Sequence, residues 1–201
     1  MVEGQHSSEK MPPLKLPSSL RFGPFPISNQ VFYLSPSRLS FALVNLKPLL
    51  PGHVLVSPTR VTPRLSQLSS AETADLFLTV QRVSKMVERV FDASALNVAV
   101  QDGVDAGQSV PHVHVHIIPR QSEDLRDRGG GDQIYDMMDG EEGNVGKHLL
   151  EMQRAREARD TDRKFAGGPD SDRRPRTEEV MRQEAEWLQS EIEKDTHVEL
   201  A

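Results

Sequence analysis

Three histidines stand at alternate positions in the run His112-Val113-His114-Val115-His116, which continues into Ile117-Ile118-Pro119. On a β-strand, residues i, i+2 and i+4 share a face. A strand over residues 113–118, with His112 at its mouth, turns the three imidazoles one way and the valines and Ile117 the other. Three kinds of chemistry compete for such a face. A metal ion wants each nitrogen at about 2.0–2.1 Å. His112 and His116 are about 13 Å apart along a straight strand, too far to share one centre easily. The run also lacks the cysteine or acidic neighbours that complete metal sites. A purely structural role leaves each buried imidazole in need of its own partner. The third possibility is nucleophilic catalysis. A neutral imidazole with an ordinary pKa of about 6.5 is a competent nucleophile at neutral pH. Flanking histidines can fix its tautomer or protonate a leaving group.

The residues just before the run favour phosphorus as the target. Gly107-Gln108-Ser109-Val110 is a turn whose backbone N–H groups can cradle an anion, and attack on a phosphoryl group needs donors for its equatorial oxygens. Pro111 biases Val110 toward an extended shape and costs little at the mouth of a strand.

The elements that must position these residues follow from periodicity. Val31–Leu34, Ser40–Asn45 and His53–Ser57 read as strands joined by short loops, with Pro51-Gly52 as a turn. Ser69 and Glu72 fit a capping box. They open a helix whose Leu76, Phe77, Val80, Val83, Val87 and Val90 recur at helical spacing and which ends near Phe91. Ala95–Gln101 is the fourth strand and Val113–Ile118 the fifth. Five strands around one long helix predict an α+β domain with an antiparallel sheet. Thr177 caps a C-terminal helix, with Glu178 and Glu179 in its first turn and Met181, Ala185, Leu188 and Ile192 on one apolar face.

The domain organisation expected is a flexible leader over 1–20 and a catalytic domain over 21–120. An extended stretch over 121–176 follows, with a glycine run, a charged helix-prone segment and a disordered linker. A helix over 177–195 packs on the domain. The chain has 201 residues and 36% hydrophobic residues, so part of its length is expected to be solvated. A net charge of −6 excludes a general nucleic-acid coat but leaves room for a local phosphate pocket. The absence of cysteine excludes disulfides, thiolate metal sites and a cysteine nucleophile. No apolar run approaches the roughly 18 residues of a membrane span. The first twenty residues, with two lysines, two glutamates and no arginine, read as neither a secretory nor a transit signal. The expectation is a soluble protein of the cytoplasm, with the nucleus also open to it.

The stretch Gly107 to Arg120 resembles the histidine-triad (HIT) motif, His-x-His-x-His followed by apolar residues. The wider pattern is similar to the fragile-histidine-triad branch, the dinucleoside polyphosphate hydrolases. It runs through Arg21-Phe22-Gly23, Ser40–Asn45, Lys47-Pro48, Pro51–Val56, Ala74–Phe77, Gln81–Val83, Gln101–Gly103 and Ala106–Gln108, and reappears at Ile134-Tyr135 and Glu178–Leu188. The resemblance implies a HIT-like fold and hydrolysis of bis(5′-adenosyl) triphosphate to AMP and ADP. It makes His114 the nucleophile, which forms a covalent nucleotidyl-histidine, and places His116 at the scissile phosphate or leaving group. His112 and His53 become the supporting network. Asn45, Gln101, Gly107, Gln108, Ser109 and Val110 become the nucleotide and phosphate contacts. It further implies a homodimer, and a divalent cation, magnesium or manganese, that comes with the polyphosphate and needs no dedicated protein site or organic cofactor. Pro111 departs from the polar or aromatic residue usual before the first histidine, and Phe25 stands near where relatives carry a base-contacting histidine. Tyr135 matches a loop tyrosine that the family phosphorylates. Two other readings stay open: a nucleoside phosphoramidate hydrolase using the same histidine, and a nucleotide-sensing module with slow turnover.

Overall fold

A computed structural model describes residues 16–17, 20–27, 29–140, 146–147, 149–151, 154 and 176–198. The chain opens on a small hairpin, β1 (Arg21–Phe22) and β2 (Phe25–Pro26), turning at Gly23-Pro24. The main sheet has five antiparallel strands: β3 (Val31–Leu34), β4 (Ser40–Val44), β5 (Val54–Pro58), β6 (Ala95–Val100) and β7 (Val115–Arg120). Their spatial order is β3-β4-β5-β7-β6, so β7, which carries the end of the histidine run, lies inside the sheet.

Between β5 and β6 runs α1 (Ser70–Phe91). Its start is set by the capping box expected from the sequence. The Ser69 side chain accepts from the Glu72 N–H, and the Glu72 carboxylate accepts from the Ser69 N–H. Arg60 adds two bonds to the same carboxylate, at 2.7 and 2.8 Å. These bonds hold the Glu72 carboxyl down at about 2, with the Arg60 guanidinium the largest cause. Leu76, Val80, Val83 and Val87 are buried as their spacing predicts, together with Met86. Val90 is partly buried against the same core, and Phe77 is 42% exposed, because one residue along a helix turns it about 100° away from the stripe led by Leu76. The helix lies against β4, β5 and β7.

The C-terminal helix, α3 (Glu178–Val198), packs on β3, β4 and α1. Thr177 accepts from the Val180 N–H at 3.3 Å. Met181, Ala185, Leu188 and Ile192 are buried, and Trp187 stands edge-on to Phe91 of α1. A short α2 (Gln133–Asp139) follows β7 and forms a second, smaller core from Ile118, Leu125, Ile134, Met137 and Leu49. Arg120 ties down the intervening loop through Asp124, Asn97 and the Gly131 carbonyl.

Two boundaries that bear on the core and the site differ from the sequence expectation, while other element ends shift by one to three residues. Leu20, placed in the leader, is 3% exposed and part of the core; its apolar side chain packs where the flanking polar composition gave no sign. The fifth strand covers 115–120, not 113–118. Its partner β5 ends at Pro58, and the ladder between them spans only Val54–Val56 against Val115–Ile117. Before that point, residues 112–114 are held by other bonds. Pro119 is tolerated because β6 alone is its strand neighbour there. The charged segment 148–163 falls mostly, and the linker 166–175 wholly, outside the described residues.

Candidate active site

Register explains which side chains meet. Leu43, Leu55 and His116 are paired across β4, β5 and β7 and share a face of the sheet. Asn45 and His53 continue the same alternation just past the ends of β4 and β5. His53 is 2% exposed, Asn45 2% and His116 2%. The three form one chain. Asn45 Nδ2 lies 3.5 Å from the acceptor His53 Nδ1, and His53 Nε2 lies 2.9 Å from His116 Nδ1.

Backbone groups dictate the protonation of each ring. The Leu49 N–H donates to His53 Nδ1 at 3.1 Å. An acceptor at Nδ1 puts the proton of neutral His53 on Nε2, so His53 donates to His116 Nδ1. His116 in turn carries its proton on Nε2. That N–H is buried and has no hydrogen-bond partner among the described residues. The Gly23 N–H donates to His112 Nδ1 at 3.0 Å, and His112 Nε2 donates to the Pro58 carbonyl at 2.9 Å. His114 is the opposite tautomer. Its Nδ1 donates to the His112 carbonyl at 2.8 Å, which leaves the lone pair on Nε2.

The bonds that replace the strand ladder hold this geometry. Ser57 Oγ donates to the Val113 carbonyl at 2.7 Å, and the Val113 N–H donates to the Thr62 carbonyl at 2.7 Å. Phe22 packs edge-on to His114, with ring centroids 5.2 Å apart, and tilts against His112 at 5.7 Å. Gly23 sits at φ +56°, where a β-carbon would come 2.6 Å from Val110 Cγ1. Only glycine fits there and still presents its N–H to His112.

All four rings are neutral near pH 7. Burial pushes His53 down to about 3, helped by the nearby His114 and Arg176. Burial pushes His112 down to about 4, partly opposed by its bond to the Pro58 carbonyl. His114 and His116 are also pushed down by burial. The bond to the His112 carbonyl opposes the shift of His114, and neighbouring histidines reinforce that of His116.

The turn before the triad behaves less uniformly. The Gln101 amide lies against Gly107, and Ser109 Oγ accepts from the Gly146 N–H at 3.1 Å. Val110 is fully buried beside Gly23, so it shapes the wall below the triad. The Gln108 side chain turns away: it donates to the Pro63 carbonyl at 2.8 Å and accepts from the Gly103 N–H at 3.1 Å. That leaves its backbone as its means of contacting an anion. Phe25 is buried in β2, and Tyr135 is 60% exposed on α2. Four contributors went unread in the sequence: Gly23, Phe22, Ser57 and the Leu49 N–H. Only the Arg21-Phe22-Gly23 turn left a local trace.

As a metal centre the histidine set is poorly suited. Both ring nitrogens of His53 and His112 are already engaged. Among the described residues no three His, Cys, Asp or Glu side chains are placed to hold an ion. The arrangement suits a nucleophile beside a proton donor: one ring presents a lone pair, and its neighbour, with ring centroids 5.0 Å away, presents an N–H.

This chain belongs to the HIT domain family, whose model matches residues 27–123. It is 48% identical over 176 residues to the asymmetrical bis(5′-nucleosyl)-tetraphosphatase of Schizosaccharomyces pombe, covering 86% of this chain and 94% of that protein. It is 48% identical over 140 residues to the bifunctional bis(5′-adenosyl)-triphosphatase/adenylylsulfatase of Arabidopsis thaliana, covering 69% and 74%. Among solved structures, a diadenosine triphosphate hydrolase of Plasmodium falciparum in complex with cyclomarin A matches with a TM-score of 0.53. It is 30% identical and covers 70% of this chain and 90% of that one. The α+β architecture expected from the sequence is therefore that of HIT-fold proteins.

Proposed function

We propose that the protein hydrolyses dinucleoside polyphosphates, with His114 as the nucleophile on the α-phosphorus. The observation that carries this reading is the tautomer pair: a free lone pair on His114 Nε2 beside an unpartnered N–H on His116 Nε2. The names of relatives that cover most of their own length support the substrate class.

In the first step His114 Nε2 bonds to the α-phosphorus, and the bond to the bridging oxygen breaks. The His116 N–H donates to that oxygen, or to an oxygen of the phosphoryl group, as charge develops. The bond from His114 Nδ1 to the His112 carbonyl stabilises the positive charge the ring gains. In the second step water attacks the phosphorus, the N–P bond breaks, and the mononucleotide leaves. From bis(5′-adenosyl) triphosphate and one water the products are AMP and ADP; from the tetraphosphate they are AMP and ATP. Asn45, Gln101 and the residues Gly107 to Val110 serve as nucleotide and phosphate contacts, with Gln108 acting through its backbone. A magnesium or manganese ion arrives with the polyphosphate and offsets its charge. The engaged ring nitrogens support this placement over a resident metal.

A homodimer is part of the same reading. Strand β6 is a sheet edge, Val98 on it is 48% exposed, and Phe77 and Leu78 on α1 are 42% and 66% exposed. A second copy would cover both, and light scattering at half the dimer mass would contradict it. Among the described residues no helix is long and apolar enough to cross a membrane. We place the protein in the cytoplasm or nucleus, which fractionation of cells checks.

The functional test is turnover of the tri- and tetraphosphates, with adenosine phosphoramidate alongside, by the wild type and by His114→Ala. Turnover of the dinucleotides that disappears in the variant is the expected result. A variant that keeps near-wild-type rates, or a wild type that cleaves only the phosphoramidate, overturns the reading.

A further inference from the structure

The long stretch after β7 had no readable role in the sequence, yet the structure brings it back onto the turn before the triad at two points. Asp139, the last residue of α2, places Oδ1 3.7 Å from where a β-carbon on Gly107 would stand. Gly146 lies directly on Ser109. Its N–H donates to Ser109 Oγ at 3.1 Å. A β-carbon at Gly146 would stand 2.9 Å from the Ser109 carbonyl carbon and overlap its oxygen, so the approach requires glycine. Three residues further, Leu149 is 2% exposed within the main core. The contact on Ser109 is thus anchored by burial and does not depend on one exposed hydrogen bond.

A serine hydroxyl has one proton and two lone pairs. When the Gly146 N–H occupies a lone pair, the hydroxyl proton is not spent there, and its rotation is confined to directions away from Gly146. A hydroxyl free to rotate must be ordered when substrate binds, whereas one already held does so at less entropic cost. The side chains of Gln101 and Gln108 are drawn to Gly107 and to the loop around Gly103 and Pro63. Ser109 is therefore the hydroxyl of this turn whose orientation is set from outside it.

We propose that Gly146 completes the phosphate-binding turn, as a positioning residue that aims the Ser109 hydroxyl proton at a phosphoryl oxygen of the substrate. The proposal rests on the reading in which His114 attacks a polyphosphate bound by Gly107 to Val110. Leu149 is the anchor. Gly146 acts only through Ser109, so its effect exists only while Ser109 carries its hydroxyl.

The test is a double-mutant cycle on kcat/KM for bis(5′-adenosyl) triphosphate, using Gly146→Ala, Ser109→Ala and both together in the full chain. A hydrogen bond to a charged group makes each single substitution cost on the order of ten-fold or more. The double variant should lose no more than Ser109→Ala alone. Because the added β-carbon meets the Ser109 carbonyl, the thermal midpoint of Gly146→Ala should fall, and kcat/KM is compared at a temperature where every variant is folded. Full wild-type kcat/KM in Gly146→Ala overturns the proposal, and so do losses that multiply in the double variant. Should Gly146→Ala not fold, Leu149→Ala takes its place. It is expected to lower kcat/KM when Ser109 is present and to have no further effect in the Ser109→Ala background; equal losses in both backgrounds overturn the proposal. If His114→Ala retains turnover, the reading of the active site has failed. If His114→Ala is inactive while Gly146→Ala is unaffected, only the positioning role has failed.

Discussion

Four neutral imidazoles in one core make the fold sensitive to mild acid, and the size of the effect can be worked out for two of them. His53 and His112 are pushed down to about 3 and about 4 in the folded protein, against about 6.5 for an unfolded chain. Between those values the unfolded chain binds more protons, so stability falls as pH falls. The contribution is fully present above pH 6.5 and is lost toward the folded values. At pH 5 an imidazole that stays neutral in the fold costs about 2 kcal/mol relative to pH 8, so this pair costs about 4 kcal/mol together. That is a large share of the roughly 5–15 kcal/mol by which domains are stable. His114 and His116 shift in the same direction and add to it. The Glu72 carboxyl, held at about 2, acts in a different window. Its contribution is present above about pH 4.5 and is lost below, so the interval from pH 7 to 5 belongs to the histidines. Urea unfolding at pH 8, 7, 6 and 5 measures the effect. Stability that stays within about 1 kcal/mol across that interval refutes the neutral, buried network, as does a histidine NMR signal showing these rings protonated at pH 6.

Other expectations follow from the same contacts. His116→Asn keeps an acceptor for the His53 bond but removes the Nε2 donor. It should lower kcat by about 10²–10⁴-fold with substrate affinity nearly unchanged, and an unaltered kcat in single-turnover kinetics contradicts the donor role. Gly23→Ala combines a left-handed backbone with a clash on Val110 and should destabilise by about 2–5 kcal/mol. Gly130→Ala, also at positive φ but with nothing within 4 Å of its β-carbon, should cost about 1–2 kcal/mol; equal losses in denaturant melts count against the close approach. Glu72→Ala removes the side-chain half of the capping box and the Arg60 pair, while the residue-72 N–H still donates to Ser69 Oγ; it should cost about 1–3 kcal/mol, with little change in kcat.

The strands, the start of α1 and the apolar face of α3 were legible because their signals are local. Period, cap and turn chemistry act within a few residues, and Ser69 with Glu72 lie three positions apart. The shape of the triad was not local. Alternation placed all three histidines on one strand, but the ladder ends at Val56 and Val115, before β5 itself ends at Pro58. His112 and His114 are then oriented by Pro58, by Gly23, which lies 89 residues before His112, and by a bond between the two histidines themselves. Sequence spacing showed that the imidazoles could converge. It did not show that backbone groups at Leu49, Gly23 and Pro58 would force their tautomers. Gln101 and Ser109 matched a family pattern, yet the contacts from Gly107 and Gly146 depend on segments whose approach no periodicity encodes.

The central claim is that His114 attacks phosphorus through Nε2. Mass spectrometry of protein quenched with acid-free denaturant during turnover of bis(5′-adenosyl) triphosphate tests it directly. The account predicts an added mass of one adenylyl group, mapped to the peptide holding residues 112–116, present in the wild type and absent in His114→Ala. Rapid turnover with no adduct under any quench time, or an adduct that persists in His114→Ala, contradicts it.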